Sequence, residues 1–279
     1  MLDALIHNMV MLWLLYYFLL GIRIPPHTFG FLFPSSNRMA FLRRSGLLRR
    51  MSSTPAIEIE QKFAMSDGGA IERRLADIGL RKESESVICD WYFDLAEPVL
   101  SPNDYWIRFR EMKGKSAWQL KVGRHHESGT TIYEEIEGIK AFQTAMRSFP
   151  QIATGDTNGE AEFEGHTVPK PLVPCNLCPF ARIETTRSSW FNPDKKESIT
   201  VDLDCTSHGY AVGEVETIVH SQEEIPWGQE KVRAFLRDFL PDTDDSSLPT
   251  PVIGKLEDYL MRCRPDHYEA CVRGGSIRR

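Results

Sequence analysis

The chain of 279 residues contains little cysteine, and its six cysteines lack the regular spacing of a disulfide framework. Sparse, irregular cysteine indicates reduced thiols in a cytosolic or matrix compartment. No segment reads G-x-x-x-x-G-K-[ST], G-x-G-x-x-G or G-x-S-x-G, so a P-loop kinase, a Rossmann dehydrogenase and an α/β-hydrolase are unsupported. With 42% hydrophobic and 26% charged residues, the composition argues against a disordered, collagen-like or polytopic membrane chain.

Acidic residues are almost missing from the first fifty positions and outnumber the bases afterwards. Residues 1–50 carry six Arg and one Asp, a balance of +5. The remaining 229 residues carry 27 Lys and Arg against 38 Asp and Glu, a balance of −11. An acidic body lacks the basic surface of a general nucleic-acid binder, so we expect no nucleic-acid partner. The body could still bind a small polyanion if its bases gather in one site and metal ions assist.

Residues 1–55 are predicted to form a targeting or disordered extension. Residues 4–22 have no charged side chain and could just span a bilayer, so membrane contact is expected only if this apolar run is an anchor. Residues 39–55 are rich in Arg, contain Ser and lack acids, which are properties of a mitochondrial presequence. The chain could also start at Met39 or Met51. We expect a cytoplasmic protein first, a mitochondrial one second and a membrane-anchored one last.

From Ala56 onward, apolar and charged residues alternate with period two. Such alternation indicates strands with one apolar face and one charged face. For a single strand, a half-exposed surface strand would explain the pattern better than a charged lumen. Here the pattern recurs in six segments, which are 57–63, 106–110, 118–122, 131–136, 200–204 and 210–216. Six such strands fit a closed barrel whose polar lumen binds a ligand of high charge density together with a metal.

Helical spacing of apolar residues predicts helices that pack outside this barrel. The predicted helices are 69–80, 139–149, 222–239 and 251–263, and Arg264-Pro265 is expected to end the last of them. The stretch 150–179 is rich in Gly, Pro and Glu without a clear period, so it is interpreted as an insertion loop. The predicted fold class is α+β, with one domain over 56–270 and a tail over 271–279.

The charged strand faces resemble those of a known family. The first strand begins with Glu58-x-Glu60-x-Lys62, which is the signature of the CYTH family, the triphosphate tunnel metalloenzymes. Further segments resemble its thiamine-triphosphatase branch and follow the order of that family. They are Trp106-Ile-Arg108-Phe-Arg110, Trp118-Gln-Leu-Lys121, Arg187-Ser-Ser-Trp190, Asp202-Leu-Asp204, Gly209 to Glu216, and Lys255 followed by Arg262-Cys-Arg264-Pro265. The resemblance spans residues 56–270 and omits the stretch 150–179.

The resemblance implies an eight-stranded antiparallel tunnel that hydrolyses a triphosphate with a divalent metal, usually Mg²⁺. Mg²⁺ prefers oxygen ligands and couples carboxylates to phosphates. The family's metal positions match Glu58, Glu60, Asp202, Glu214 and Glu216. Two further acids are weaker candidates, Glu135 as a tunnel acid and Asp204 as either a supporting group or a solvent-facing one.

The resemblance also assigns the substrate positions. They match Lys62, Trp106, Arg108, Arg110, Lys121, Arg187, Glu214 and Lys255. Arg offers phosphate a planar fork of donors and Lys offers a point charge. The flat, cationic thiazolium of thiamine suits the aromatic face of Trp106.

Two groups are candidates for activating the attacking water. Lys121 could serve if neighbouring cations lower its pKa, with Tyr92 orienting it. The alternative is a water activated at the metal near Glu214 or Glu216. The expected activity is Mg²⁺-dependent hydrolysis of thiamine triphosphate to thiamine diphosphate and phosphate by a monomer. An inorganic triphosphatase, a nucleoside triphosphatase or a non-catalytic polyphosphate-binding module are the alternatives.

Overall fold

The computed structural model describes residues 56–278 except Ser66, Ser84, 125–129, 154–160, 194–198 and 241–251. The predicted extension, with its apolar run and its presequence-like stretch, lies outside the described residues. Within these ranges no helix is both long enough and apolar enough to span a membrane.

Eight strands form a closed antiparallel barrel, which confirms the predicted architecture. In chain order they are β1 Ala56–Ala64, β2 Ser86–Asp94, β3 Tyr105–Met112, β4 Lys115–Arg124, β5 Thr131–Glu137, β6 Cys178–Phe191, β7 Thr200–Thr206 and β8 Ala211–Val219. Around the barrel the order is β7-β8-β1-β5-β4-β3-β2-β6, and β6 pairs with β7 to close the circle. Because the sheet closes, none of these eight strands is left as an edge.

Two of the eight strands, β2 and β6, are missing from the six that alternation predicted. In β2 one face carries Ser86, Ile88, Asp90, Tyr92 and Asp94, so its two acids alternate with no base and stand among uncharged residues. In β6 the lumen positions near Arg187 are mostly hydroxyl side chains. Neither face therefore shows the charged alternation on which the prediction depended.

The outer strand faces pack under the helices. Helix α3, Ile225–Phe239, covers Ile57 and Ile59 of β1, both of which are buried. Helix α2, Ile139–Ser148, covers the β4 face that includes Trp118. Since successive side chains of a strand point to opposite faces, burying the apolar residues outside turns the charged residues of the same strands into the lumen.

The helices match the predicted segments, with one exception at the C-terminus. Helix α1 is Gly68–Asp77 and helix α4 is Lys255–Cys263. The prediction that α4 is the last helix is wrong, because a further helix, α5, runs over Pro265–Gly274. Pro265 lies in the first turn of α5, where proline lacks only an N–H that would have no partner within the helix. Residues 271–274 of α5 lie in the segment predicted to be a tail.

The described part of the stretch 150–179 packs against the domain. It contains a 3-10 turn at Pro150–Ala153 and a small hairpin of Glu162–Phe163 and His166–Thr167. Leu177, near its end, is buried in the same apolar cluster as helix α2. This stretch therefore adds to the core beside the barrel.

Candidate active site

The strand register brings the predicted acids and bases together in the lumen. On β1 and β8, Glu60 lies opposite Glu216, and Lys62 lies opposite Glu214. On β7, Asp202 lies opposite Glu214. Because directly opposed residues share a face, these carboxylates line one wall of the tunnel.

Lys121 contacts several carboxylates on this wall. Its Nζ donates a hydrogen bond to Glu58 and lies 3.5 Å from Glu135 Oε1 and 3.9 Å from Glu60 Oε2. Glu135 also accepts a 3.3 Å hydrogen bond from Arg108 Nη2. The predicted acidic tunnel position Glu135 is therefore shared by two cations.

Arg187 and Lys255 form a second cluster with three acids, which are Asp202, Asp204 and Glu214. The Arg187 fork donates to both oxygens of Asp204 at 2.7 and 2.6 Å, and its Nη2 donates to Glu214 Oε2 at 3.1 Å. Lys255 donates to Asp204 and, at 2.8 Å, to Glu214 Oε1. Its position at the start of helix α4 lets it reach the lumen from outside the sheet. Asp204 is fully buried, so the solvent-facing alternative for it is wrong.

Asp90 is a site residue that the sequence reasoning missed. Its two oxygens accept 2.7 and 2.6 Å hydrogen bonds from the Arg110 fork, and Arg108 Nη1 lies 3.9 Å away. Asp90 is only 3% exposed. The available signal was its position two residues before Tyr92, which puts both side chains on one face of β2.

The buried acids differ in protonation. Burial raises the pKa of Glu216 well above its usual value, and the neighbouring Glu58 and Asp202 charges add to that shift. For Glu214, burial acts in the same direction, but Lys255, Lys62 and Arg187 outweigh it and hold the pKa well below its usual value. Glu216 shares a hydrogen bond with Glu58. Burial therefore favours the protonated form of Glu216, and it also raises the pKa of the neighbouring wall residue Asp202.

The prediction that neighbouring cations lower the pKa of Lys121 is wrong. Burial alone would lower the pKa of Lys121, but the Glu58, Glu60 and Glu135 carboxylates raise it above the usual value. Its neighbours are mainly acids rather than the cations that the prediction assumed. Tyr92 is buried opposite Arg108 and packs in an apolar cluster with Tyr259.

Trp106 shares the lumen face of its strand with Arg108 and lies opposite Lys121. It is half-buried and packs against an apolar cluster that includes Leu260 of helix α4 and Cys271 of helix α5. The C-terminal helices therefore form part of the surroundings of this side chain.

The carboxylate oxygens of the lumen suit a hard divalent cation, although most of these carboxylates already form ion pairs with Lys or Arg. Carboxylate oxygens are the ligands that Mg²⁺ prefers, and the five predicted metal positions come from the three adjacent strands β1, β8 and β7. No group of three or more His, Cys, Asp or Glu among the described residues is already arranged to hold a metal ion. Six cations, each with a side chain at most 18% exposed, pair with lumen acids instead, and four of the six pair with Glu58, Glu60, Asp202 or Glu214. They are Lys62, Arg108, Arg110, Lys121, Arg187 and Lys255.

A closed antiparallel barrel with enclosed cations and interleaved carboxylates in its lumen defines a tunnel protein for compact polyanions. The CYTH domain profile matches residues 56–247. The chain belongs to the CYTH family.

Two curated relatives are similar over most of their length. The chain is 32% identical over 234 residues to thiamine-triphosphatase from Homo sapiens, covering 80% of this chain and 92% of that protein. It is 33% identical over 224 residues to thiamine-triphosphatase from Macaca fascicularis, covering 76% and 88%. A solved structure of a Pyrococcus horikoshii protein covers 70% of this chain and 96% of its own, with 18% identity and a TM-score of 0.44.

Proposed function

We propose that this chain hydrolyses the terminal phosphoanhydride bond of thiamine triphosphate, with Mg²⁺, to give thiamine diphosphate and phosphate. The observation that carries the proposal is the enclosed set of six cations, each paired with a lumen carboxylate. The identity to two thiamine-triphosphatases supports the choice of substrate. The six unpaired cysteine thiols support the reducing, cytoplasmic location that we propose for it.

Substrate and metal should bind together, because the cations and acids now neutralise each other. A triphosphate offers phosphate oxygens to Arg187 and Lys255 in place of Asp202 and Glu214. Those carboxylates then need another positive partner. Glu58, Glu60, Asp202, Glu214 and Glu216 would hold Mg²⁺, which when bound neutralises charge on the phosphate oxygens.

The cations position the phosphate chain and stabilise charge that develops on it. Phosphoryl transfer depends mainly on positioning and electrostatic stabilisation. Asp90 fixes the fork of Arg110, and Asp204 fixes that of Arg187, so both guanidinium groups are oriented before substrate arrives. This preorganisation reduces the cost of ordering them during the reaction.

Lys121 remains our candidate for the group that acts on the attacking water. It keeps its proton while Glu58 and Glu60 surround it, since their charges raise its pKa. Lys121 could accept a proton only after Glu58 and Glu60 have taken other cationic partners, because the loss of their negative charges lowers the pKa of Lys121. Tyr92 is the candidate for orienting Lys121, and the alternative is a water activated at the metal near Glu214 or Glu216.

A substrate panel tests the proposal. Phosphate release is measured with thiamine triphosphate, inorganic triphosphate, ATP and thiamine diphosphate, each with Mg²⁺ and with a chelator. We expect the highest kcat/KM for thiamine triphosphate and no turnover with the chelator. A preference for inorganic triphosphate or ATP would move the activity to another triphosphatase. Thermal stabilisation by triphosphates without any turnover would instead favour a polyphosphate-binding module.

A further inference from the structure

A carboxylate at the start of strand β3 holds the indole of Trp106. Asp104 precedes β3 in a left-handed conformation, with φ of 62°. Its Oδ1 accepts a 2.6 Å hydrogen bond from Trp106 Nε1. Its backbone is tied at both ends, because its N–H donates to Ser101 O at 3.0 Å and its carbonyl accepts from Gly123 N–H at 2.8 Å.

The neighbouring strand leaves room for this carboxylate at a glycine. A Cβ built on Gly123 of β4 would lie 1.6 Å from Asp104 Oδ2, so any larger residue there must displace the Asp104 side chain. Gly123 lies opposite Tyr133 of β5. After burial, the Asp104 charge is the next largest cause of the raised pKa of Tyr133, so that charge acts on this part of the lumen.

The chemistry around Asp104 differs from that of the phosphate-binding wall. Trp106 offers an aromatic face, and Asp104 adds a negative charge directly beside its indole. The ring of Tyr133 is already in contact with a cation, because Lys121 Nζ lies 5.1 Å from its centroid. An anionic phosphate chain is repelled by a carboxylate, whereas a flat organic cation is attracted both by it and by aromatic faces. A group of this kind can therefore discriminate between substrates that share the same phosphates.

We propose that Asp104 is a positioning residue that sets specificity for a triphosphate carrying a flat organic cation. It fixes the orientation of Trp106 and places its own charge beside the ring. The inference rests on the proposed function, since the thiazolium of thiamine triphosphate is such a cation. Inorganic triphosphate lacks the organic group and serves as the reference substrate.

Three substitutions separate the two parts of this role. Asp104→Gly removes the carboxylate while tolerating the positive φ. Asp104→Asn also suits that φ and keeps an oxygen acceptor for the indole, but it removes the charge. Gly123→Ala leaves the charge present and displaces the carboxylate sterically. Melting temperatures identify any of the three variants that fails to fold. The test then rests on the kinetics of the variants that do fold.

The test measures kcat/KM on thiamine triphosphate and on inorganic triphosphate with the full-length chain and saturating Mg²⁺. We expect the ratio to fall about threefold to thirtyfold in Asp104→Gly and Gly123→Ala, and by less in Asp104→Asn. An unchanged ratio in folded variants, or an equal fall on both substrates, would overturn the role of Asp104 while leaving the proposed function intact. A wild type that prefers inorganic triphosphate would overturn the proposed function and this inference together.

Discussion

Single residues in the tunnel derive their properties from ion-pair partners on neighbouring strands. Arg187 alone contacts three acids, and Lys121 lies within 4 Å of three. Breaking a buried pair leaves a charge without compensation, which costs several kcal/mol. Carboxylates in this lumen are therefore best replaced by their isosteric amides, and every lumen substitution is compared with an exposed control of the same residue type.

Arg108→Ala should weaken triphosphate binding by about 2–4 kcal/mol, because a charged hydrogen-bond donor to phosphate is lost. Steady-state kinetics on inorganic triphosphate measures the loss as a rise in KM with a fall in kcat/KM. Arg124→Ala is the matched control, since Arg124 lies at the exposed end of β4 with a side chain 49% exposed. Equal, small effects of the two substitutions would show that Arg108 does not contact the phosphates.

Glu58→Gln should lower activity most strongly at limiting Mg²⁺, because a neutral amide is a poorer ligand for a hard cation than a carboxylate. Its melting temperature should change little, since Gln has the same shape and Lys121 keeps Glu60 and Glu135 as charged partners. Phosphate release is followed across a Mg²⁺ titration, with Glu97→Gln in an exposed loop as the control. A Mg²⁺ dependence identical to that of wild type would remove Glu58 from the metal site.

At the scale of elements, alternation with charges predicted β1, β3, β4, β5, β7 and β8. It could not predict β2 and β6, because their lumen faces carry Ile, Tyr, Ser and Thr beside isolated charges. It also could not predict that Lys121 lies among acids, since the partners of a side chain depend on register between strands far apart in sequence. Asp90 was missed for the same reason, because its partner Arg110 is on another strand.

Gly213 of β8 shows that packing under a helix restricts the size of the side chain at a strand position. A Cβ at this position would lie 2.1 Å from the ring of Phe63, which is buried and packs edge-on against Phe239 of α3 at 5.6 Å. Gly213→Ala should therefore destabilise the fold by about 1–3 kcal/mol, the usual cost of overpacking a core. Urea denaturation measures this loss. Gly69→Ala in helix α1 is the control, since its Cβ would meet only an ordinary 3.5 Å contact and should cost nothing. Unchanged stability in Gly213→Ala would show that Phe63 does not fix the position of α3.

At the scale of the whole molecule, the tunnel has more acids than bases, and burial together with repulsion from neighbouring acids raises the pKa of Glu216. Its folded-state pKa is raised above the usual value of 4.5. The stability that this group contributes is therefore fully present below about pH 4.5 and is lost as the pH rises through the raised pKa. The ligand-free protein should become less stable over this range because of Glu216.

Glu216→Gln should thus be more stable than the wild type, by a margin that grows with pH, and nearly inactive. Gln stays neutral at every pH, so it avoids the charge that Glu216 must take, but it also loses a proposed metal ligand. Melting temperatures in a chelator from about pH 5 to pH 8 test this linkage. The Glu97→Gln variant controls for the change in net charge. A wild type as stable as Glu216→Gln at every pH would contradict the proton assigned to Glu216.

The central claim is that this tunnel cleaves the terminal phosphate of thiamine triphosphate with the help of Mg²⁺. A ³¹P NMR time course of thiamine triphosphate with the full-length chain tests it directly, because each phosphorus resonance reports which bond breaks. We predict equal amounts of orthophosphate and thiamine diphosphate with Mg²⁺, and an unchanged spectrum with a chelator. Release of pyrophosphate, or an unchanged spectrum in the presence of Mg²⁺, would contradict the account.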